Sequence, residues 1–220
     1  MKIASKFNFL SAVLASTMLL SAPLSTKAEV TPNGIPDETY PGTTITVQPG
    51  DILYSSKTLG GAQPIVGHVG IIAGPYNKVY NAHTTGPQMD TLTYYTGIRH
   101  KPDDLITVYR HTEGGGAEAA KWADANLYKM WTYVIDPFGW SDIKNNYCSK
   151  FVWQAYYYGA NKSVSYLPYP STPGGLYIPP GEISNSPYTR KVASFKASDY
   201  SKAMLNKEVK DEKELQAVTE

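Results

Sequence analysis

The feature that most constrains the fold is a β-branched run, followed by a tight turn and a second apolar run. Residues 65–73 read Ile-Val-Gly-His-Val-Gly-Ile-Ile-Ala, a composition typical of a buried strand. The sequence Gly-Pro-Tyr-Asn at 74–77 predicts a turn, and residues 78–82 predict its antiparallel partner. Runs at 51–55 and 105–110 predict further strands. The first half therefore predicts a small antiparallel sheet or half-barrel.

The second half of the chain changes to helical patterns. Apolar residues at helical spacing predict a surface helix over residues 117–130. Asn145 and Asn146 are candidate N-caps for a second helix over 147–158, which Gly159 would end. One face of this helix is expected to meet the sheet, and it carries Cys148, Val152, Ala155 and Tyr156. The pattern predicts an α+β fold in which the sheet packs against the helix that carries Cys148.

The first 28 residues have the layout of a secretory signal peptide. Lys2 and Lys6 precede an apolar run over 7–20, and small residues before Ala28 offer a cleavage point. The run is shorter than the roughly 20 residues that span a membrane, so we expect export without stable membrane insertion. The sequence predicts a protein that is secreted, or extracytoplasmic, after cleavage.

The rest of the chain divides by composition into three parts. Residues 29–47 are rich in Thr, Pro and Gly and are predicted to be an N-terminal arm. Residues 48–196 form the predicted domain, with a long ordered loop over 160–187 and a strand over 190–195. Residues 197–220 are a charged tail, predicted to be a solvated helix or disordered.

Charge does not point to nucleic acid or to an anionic membrane surface as a partner. Cleavage after Ala28 would remove three lysines and no acids, leaving 17 basic and 19 acidic side chains. This nearly neutral balance lacks the electrostatic footprint of a nucleic-acid-binding protein. The sequence does not indicate an oligomeric state.

Cys148 is the single cysteine of the chain, so no intramolecular disulfide can form. It stands in the first turn of the predicted helix, where unpaired amides and the helix dipole lower the pKa of a thiol. His68 interrupts an apolar strand and can serve as the base that activates such a thiol. Asn81, or His83 on the same strand face, is the candidate third group that orients the imidazole. A lone buried cysteine and a core histidine remain the structural alternatives.

Metal and nucleotide chemistry are not indicated. The histidines show no paired spacing with cysteine or carboxylates that would build a zinc site. The Gly-rich segments lack the Lys-Ser/Thr pair of a phosphate-binding loop. His100 and His111 are interpreted as loop or strand-end residues, and no cofactor is predicted.

Four sequence motifs together resemble a known family. The stretches Gly-Asp-Ile-Leu at 50–53, Gly-His-Val-Gly-Ile at 67–71 and Val-Tyr-Asn-Ala at 79–82 resemble strand motifs of NlpC-type bacterial cell-wall peptidases. Tyr-Cys-Ser-Lys-Phe-Val at 147–152 is similar to the nucleophile helix of that family, but here it follows the strands. This order resembles the circularly permuted, YiiX-like branch of the papain-like superfamily, as does Ile-Pro-Pro-Gly-Glu-Ile at 178–183.

The resemblance implies a papain-like fold and a cysteine hydrolase. Cys148 matches the nucleophile, His68 the base and Asn81 the third polar residue, a position that is commonly His or Glu in the family and Asn in other papain-like enzymes. The implied substrate is an amide bond of a cell-wall peptide, such as a peptidoglycan stem peptide. Because the permuted branch also resembles the lecithin:retinol acyltransferases, lipid acyl hydrolysis or transfer is an alternative. A non-catalytic module that binds cell wall or peptide is another.

Overall fold

A computed structural model describes residues 38–57, 67–136, 139–165 and 177–200, together with 202, 203 and 206. The predicted signal peptide, residues 29–37 of the arm and most of the charged tail lie outside the described residues. So do residues 65 and 66, the first two of the predicted strand.

The described residues form eight strands. They are β1 Ile52–Ser55, β2 His68–Ala73, β3 Lys78–His83, β4 Gly86–Asp90, β5 Leu105–His111, β6 Thr132–Tyr133, β7 Asn145–Asn146 and β8 Thr189–Lys196. Six of them build one antiparallel sheet in the order β4-β3-β2-β1-β5-β8. The two short strands β6 and β7 form a separate parallel pair.

Four α-helices lie in the described residues, and two of them continue as π-helical turns. They are α1 Leu92–Tyr94 with a π turn over Tyr95–Arg99, α2 Gly116–Asn126 with a 3-10 turn over Leu127–Lys129, α3 Cys148–Gln154 with a π turn over Ala155–Gly159, and α4 Pro180–Ser184. Helices α2 and α3 contribute to the same hydrophobic core as the strands that carry the candidate site residues.

Both faces of the sheet are covered by apolar side chains. The first core lies against α2 and α3 and takes Val69, Ile71 and Ala73 from β2. The second core takes Ile72 from the same strand, as the alternation of side chains in a β-strand requires. It also takes Tyr40 from the N-terminal arm. Packing therefore fixes β2 from both sides and holds the region around His68 in place.

The α+β class and the antiparallel sheet predicted from the sequence are confirmed. The predicted strands over 51–55, 78–82, 105–110 and 190–195 match β1, β3, β5 and β8. The predicted helix over 117–130 matches α2 and its 3-10 turn.

Three local predictions differ from the structure. Strand β4 was not predicted, because Gly-Pro-Gln-Met-Asp lacks β-branched residues, and its pairing with β3 holds it in the sheet. Asn145 and Asn146 are not N-caps: they form β7, and Tyr147 precedes α3 without a side-chain capping bond. Helix α4 occupies part of the predicted loop over 160–187, where Pro180 begins it.

Within the described ranges, no helix has the length and apolar character needed to cross a bilayer.

Candidate active site

Cys148 is the first residue of α3 and its side chain is fully buried. The register between β2 and β3 pairs Ile71–Ala73 with Lys78–Tyr80. The backbone amide of Val69, in the same strand β2, approaches the Cys148 sulfur closely enough to lower the pKa of the thiol. The start of α3 therefore meets β2 one residue from His68.

The structure brings His68 and Asn81 together, with 3.1 Å between Nε2 of the imidazole and Oδ1 of the amide. Because the amide oxygen only accepts, Nε2 carries the proton and the neutral ring keeps its lone pair on Nδ1. The sequence analysis places an orienting group at Asn81 or His83, and the geometry favours Asn81. His83 lies at a ring distance of 6.3 Å from His68 and bonds through Nδ1 to Thr85.

A chain of polar groups continues behind Asn81. The Nδ2 group of Asn81 donates to Asp90 at 3.5 Å, and both oxygens of that carboxylate accept from Arg99 at 3.1 Å. Arg99 also donates to Gln88 at 2.5 Å. The amide of Asn81 is thereby turned so that its oxygen faces His68. Sequence reasoning missed Asp90 and Arg99, because no motif marks a link between an unpredicted strand and a π turn.

Burial sets the protonation state of the pair. Desolvation raises the pKa of the Cys148 thiol, against the opposing effect of hydrogen bonds from the Val69 amide, Ser149 and Tyr133. Desolvation, with smaller effects from His100, lowers the pKa of His68 to about 3, although its bond to Asn81 opposes this. At neutral pH the structure therefore holds both the thiol and the imidazole in their neutral forms. The lowered thiol pKa predicted from the helix start is wrong for this closed state, in which burial dominates.

Tyrosine hydroxyls surround the start of α3. The Tyr133 hydroxyl lies near the Cys148 thiol; desolvation, and then this thiol, raise the pKa of Tyr133, which is only partly buried. The Tyr147 hydroxyl accepts from the amide of Ile178 at 2.9 Å, and the Ser149 hydroxyl donates to the Ile178 carbonyl at 2.6 Å. These bonds hold the segment before α4 against the helix start, so the Pro-containing motif lies beside Cys148.

The candidate site residues are not all linked to one another by hydrogen bonds. No hydrogen bond between the Cys148 thiol and the His68 ring is found among the described residues. The ring of His68 lies 6.3 Å from that of Tyr95, whose buried hydroxyl has no hydrogen-bond partner in the described part of the chain. Hydrogen bonds between catalytic groups are often long without substrate and tighten when it binds.

The other two histidines lie in different surroundings. His100 is buried 3.5 Å from the carboxylate of Asp104, and His111 ends β5 and contacts the carbonyl of Ser163 at 3.0 Å. Across the described ranges, no group of three or more His, Cys, Asp or Glu side chains is arranged to hold a metal ion.

Comparison with known proteins supports the fold alone. No protein-family model matches the chain, and no curated protein matches it in sequence. The structure is similar to the crystal structure of metalloprotein yiiX from Escherichia coli O157:H7, DUF1105, with a TM-score of 0.51 and 20% identity. The similarity covers 68% of this chain and 98% of that chain. The chain therefore has a YiiX-like arrangement of sheet and helices.

Proposed function

We propose that this protein is a cysteine hydrolase that cleaves an amide bond, with Cys148 as nucleophile, His68 as base and Asn81 as the residue that positions His68. The observation that carries the proposal is the bond from Nε2 of His68 to Asn81. It leaves Nδ1 as the basic nitrogen, on the strand whose next residue, Val69, lies close enough to the thiol to lower its pKa. A nucleophile, a base and an orienting group are the three parts that this chemistry needs.

The reaction starts from the neutral pair. The Cys148 sulfur attacks the amide carbonyl while Nδ1 of His68 takes the thiol proton, so no free thiolate is needed in the resting state. Backbone amides at the start of α3 and the Tyr133 hydroxyl are the donors for the developing oxyanion. His68 then protonates the departing amine as the C–N bond breaks. Water, deprotonated by His68, cleaves the thioester and restores the thiol.

Access to the thiol requires movement of its cover. Cys148 has no exposed surface, and Tyr133 is a partly buried side chain whose hydroxyl lies near its sulfur. Tyr133 lies on β6, a strand of two residues held by a single partner strand. Displacement of this side chain by substrate opens the sulfur and makes the hydroxyl available to the oxyanion.

The substrate class follows from the resemblance to cell-wall peptidases and from the predicted export. A peptide of peptidoglycan, such as the stem peptide, presents amide bonds outside the membrane, where we expect the protein to act. A YiiX-like fold is compatible with this assignment. The solved yiiX protein is described as a metalloprotein, but the residues described in this chain do not fit a metal site, so no step uses a metal.

A second candidate is a non-catalytic module that binds cell wall or peptide. The complete burial of Cys148 and the raised pKa of its thiol favour this candidate, because a buried neutral cysteine also serves as a small apolar residue. The two candidates differ in one respect: only the hydrolase needs the sulfur and the imidazole.

Variants of the two groups distinguish these functions. With one amide peptide as substrate, we expect Cys148→Ala and His68→Ala to lower kcat by at least about 10²-fold, in line with the loss of a nucleophile or a positioned base. His111→Gln is the matched control, because it replaces another buried histidine that lies outside the site. Circular dichroism checks that each variant is folded. Unchanged turnover in both site variants would leave the binding module as the function.

A further inference from the structure

An open groove of about 460 Å³ lies where β6 and β7 begin. Its lining includes the aromatic rings of Tyr128 and Trp131, which are 66% and 73% exposed. Lys129 and Lys144 contribute ammonium groups to the same lining. Two exposed aromatic rings in the lining of one groove offer apolar surface to a ligand.

The groove is connected to Cys148 through the two strands that build it. The amides of Trp131 and Thr132 both donate to the carbonyl of Lys144, so the two sides of the groove are bonded to each other. From Trp131 the chain runs two residues along β6 to Tyr133, whose hydroxyl lies near the thiol. From Lys144 it runs through β7 to Cys148. Both sides of the groove are therefore continuous in the chain with the residues around the sulfur.

The charges of the groove are predominantly positive. The ammonium of Lys144 lies 4.7 Å from the centre of the Trp131 ring, and that of Lys129 donates to Asn126. The carboxylate of Asp142 accepts from the amide of Lys144 and from Asn145. The lining therefore carries two ammonium groups against one carboxylate.

We propose that this groove is a subsite for the amino-sugar part of a muramoyl peptide, which deepens the proposed function and rests on it. An exposed indole stacks on the apolar face of a sugar ring, and the lysines pair with the carboxylate of the attached peptide. Ser141 and Asp142 also line the groove and offer polar partners to sugar hydroxyls, which a lipid chain would leave unused. Hydrolysis of the peptide at Cys148 would then occur next to a bound sugar.

The test compares binding of an N-acetylmuramoyl peptide with binding of the same peptide without the sugar. Calorimetry uses the full chain with Cys148→Ala, so that binding is measured without turnover. We expect the sugar to tighten binding by about tenfold, the size of one good aromatic contact. Trp131→Ala in this background should remove that gain. Tyr76→Ala is the matched control, because Tyr76 is 62% exposed in the turn between β2 and β3.

Each outcome has one meaning. Equal binding of the two ligands, or a sugar gain that survives Trp131→Ala, overturns the subsite. Co-sedimentation with vesicles of anionic lipid that depends on Trp131, with no sugar gain, identifies a lipid-binding surface and also overturns it. Hydrolysis of the sugar-free peptide by the unsubstituted chain is measured separately. If that hydrolysis is absent while the sugar gain is present, the proposed function fails and the subsite stands.

Discussion

The candidate nucleophile and base both lie in a closed, weakly hydrated site, and burial controls their chemistry. Their residue types could be predicted from the sequence, because a lone cysteine at a helix start and a histidine in an apolar strand are unusual. The direction in which the thiol pKa shifts could not be predicted from the sequence, because desolvation depends on how β2, α3 and Tyr133 pack around the sulfur. The role of Asp90 and Arg99 behind Asn81 could not be predicted either, since it depends on a strand pairing that no local pattern indicates.

Asn81 tests the orientation of the base. Asn81→Ala removes the partner of Nε2, so the His68 ring turns freely and turnover should fall by about 10- to 100-fold, part of what a positioned base contributes. Asn81→His, which can still accept through a ring nitrogen, should keep most of the turnover. His83→Ala is the control from the same strand and should change little. Kinetics with one amide substrate measure all three variants, and a crippling His83→Ala beside a silent Asn81→Ala contradicts the assignment.

The lowered pKa of His68 also predicts a dependence of stability on pH. Below the ordinary histidine pKa of about 6.5, the unfolded chain binds a proton at His68, whereas the folded chain stays neutral down to about pH 3. The free energy of unfolding therefore falls as the pH falls through this window. His68→Gln keeps an N–H donor for Asn81 but does not titrate.

Urea unfolding at pH 7 and at pH 5 measures this effect. Between these two values we expect the free energy of unfolding of His68→Gln to fall by about 2 kcal/mol less than that of the unsubstituted chain. The other histidines are present in both proteins and cancel in the comparison. An equal loss in the two proteins would show that His68 is not held neutral by burial.

At the scale of elements, the sequence predicts the strands and helices that have a local sequence pattern. It misses the strands that form only by pairing with another segment. The β-branched run of β2, the turn after it, the apolar spacing of α2 and the glycine that ends the turn after α3 can all be recognised in the sequence. Strand β4 and the β6–β7 pair cannot be recognised there, because their residues become strands through pairing with other segments. Strand β4 carries Asp90, and β6 carries Tyr133 and borders the groove, so the surroundings of the candidate site were less predictable than the sheet.

The close approach of the start of α2 to the segment before β1 gives a prediction about stability. A Cβ atom at Gly116 would lie 2.5 Å from the carbonyl oxygen of Pro49, so Gly116→Ala forces the helix start away from β1. We expect a loss of about 1–3 kcal/mol in the free energy of unfolding, the usual cost of overpacking. Gly181→Ala in α4 is the control, since its Cβ would meet nothing within 4 Å. Chemical denaturation measures both, and equal stability of the two variants contradicts the close approach.

At the scale of the whole molecule, packing extends beyond both ends of the predicted 48–196 domain. Tyr40 of the arm is fully buried and donates to Asp51, and Tyr200 after β8 is buried in the same core. The second face of the sheet is thus covered partly by segments whose composition alone indicated an arm and a tail. Long-range contacts of this kind are not visible in local sequence patterns.

The predicted export is testable on the intact chain. We expect the protein, expressed in a bacterium with its full sequence, to be recovered outside the cytoplasm with Glu29 as its first residue, because the small residues before it suit signal peptidase. Intact mass and N-terminal sequencing measure the end of the chain. Ala28→Arg is the matched change that should block cleavage. Recovery of the uncleaved chain in the cytoplasm contradicts the prediction.

The central claim is that Cys148 and His68 hydrolyse an amide bond of cell-wall peptide, and digestion of purified peptidoglycan tests it most directly. Mass analysis of the released fragments should show peptides with a new amine and a new carboxylate. The two products of one cleavage should together weigh one water more than the uncleaved peptide. The Cys148→Ala protein should release none of them. Release of the same fragments by Cys148→Ala, or no peptide cleavage by the unsubstituted folded protein, would contradict the account.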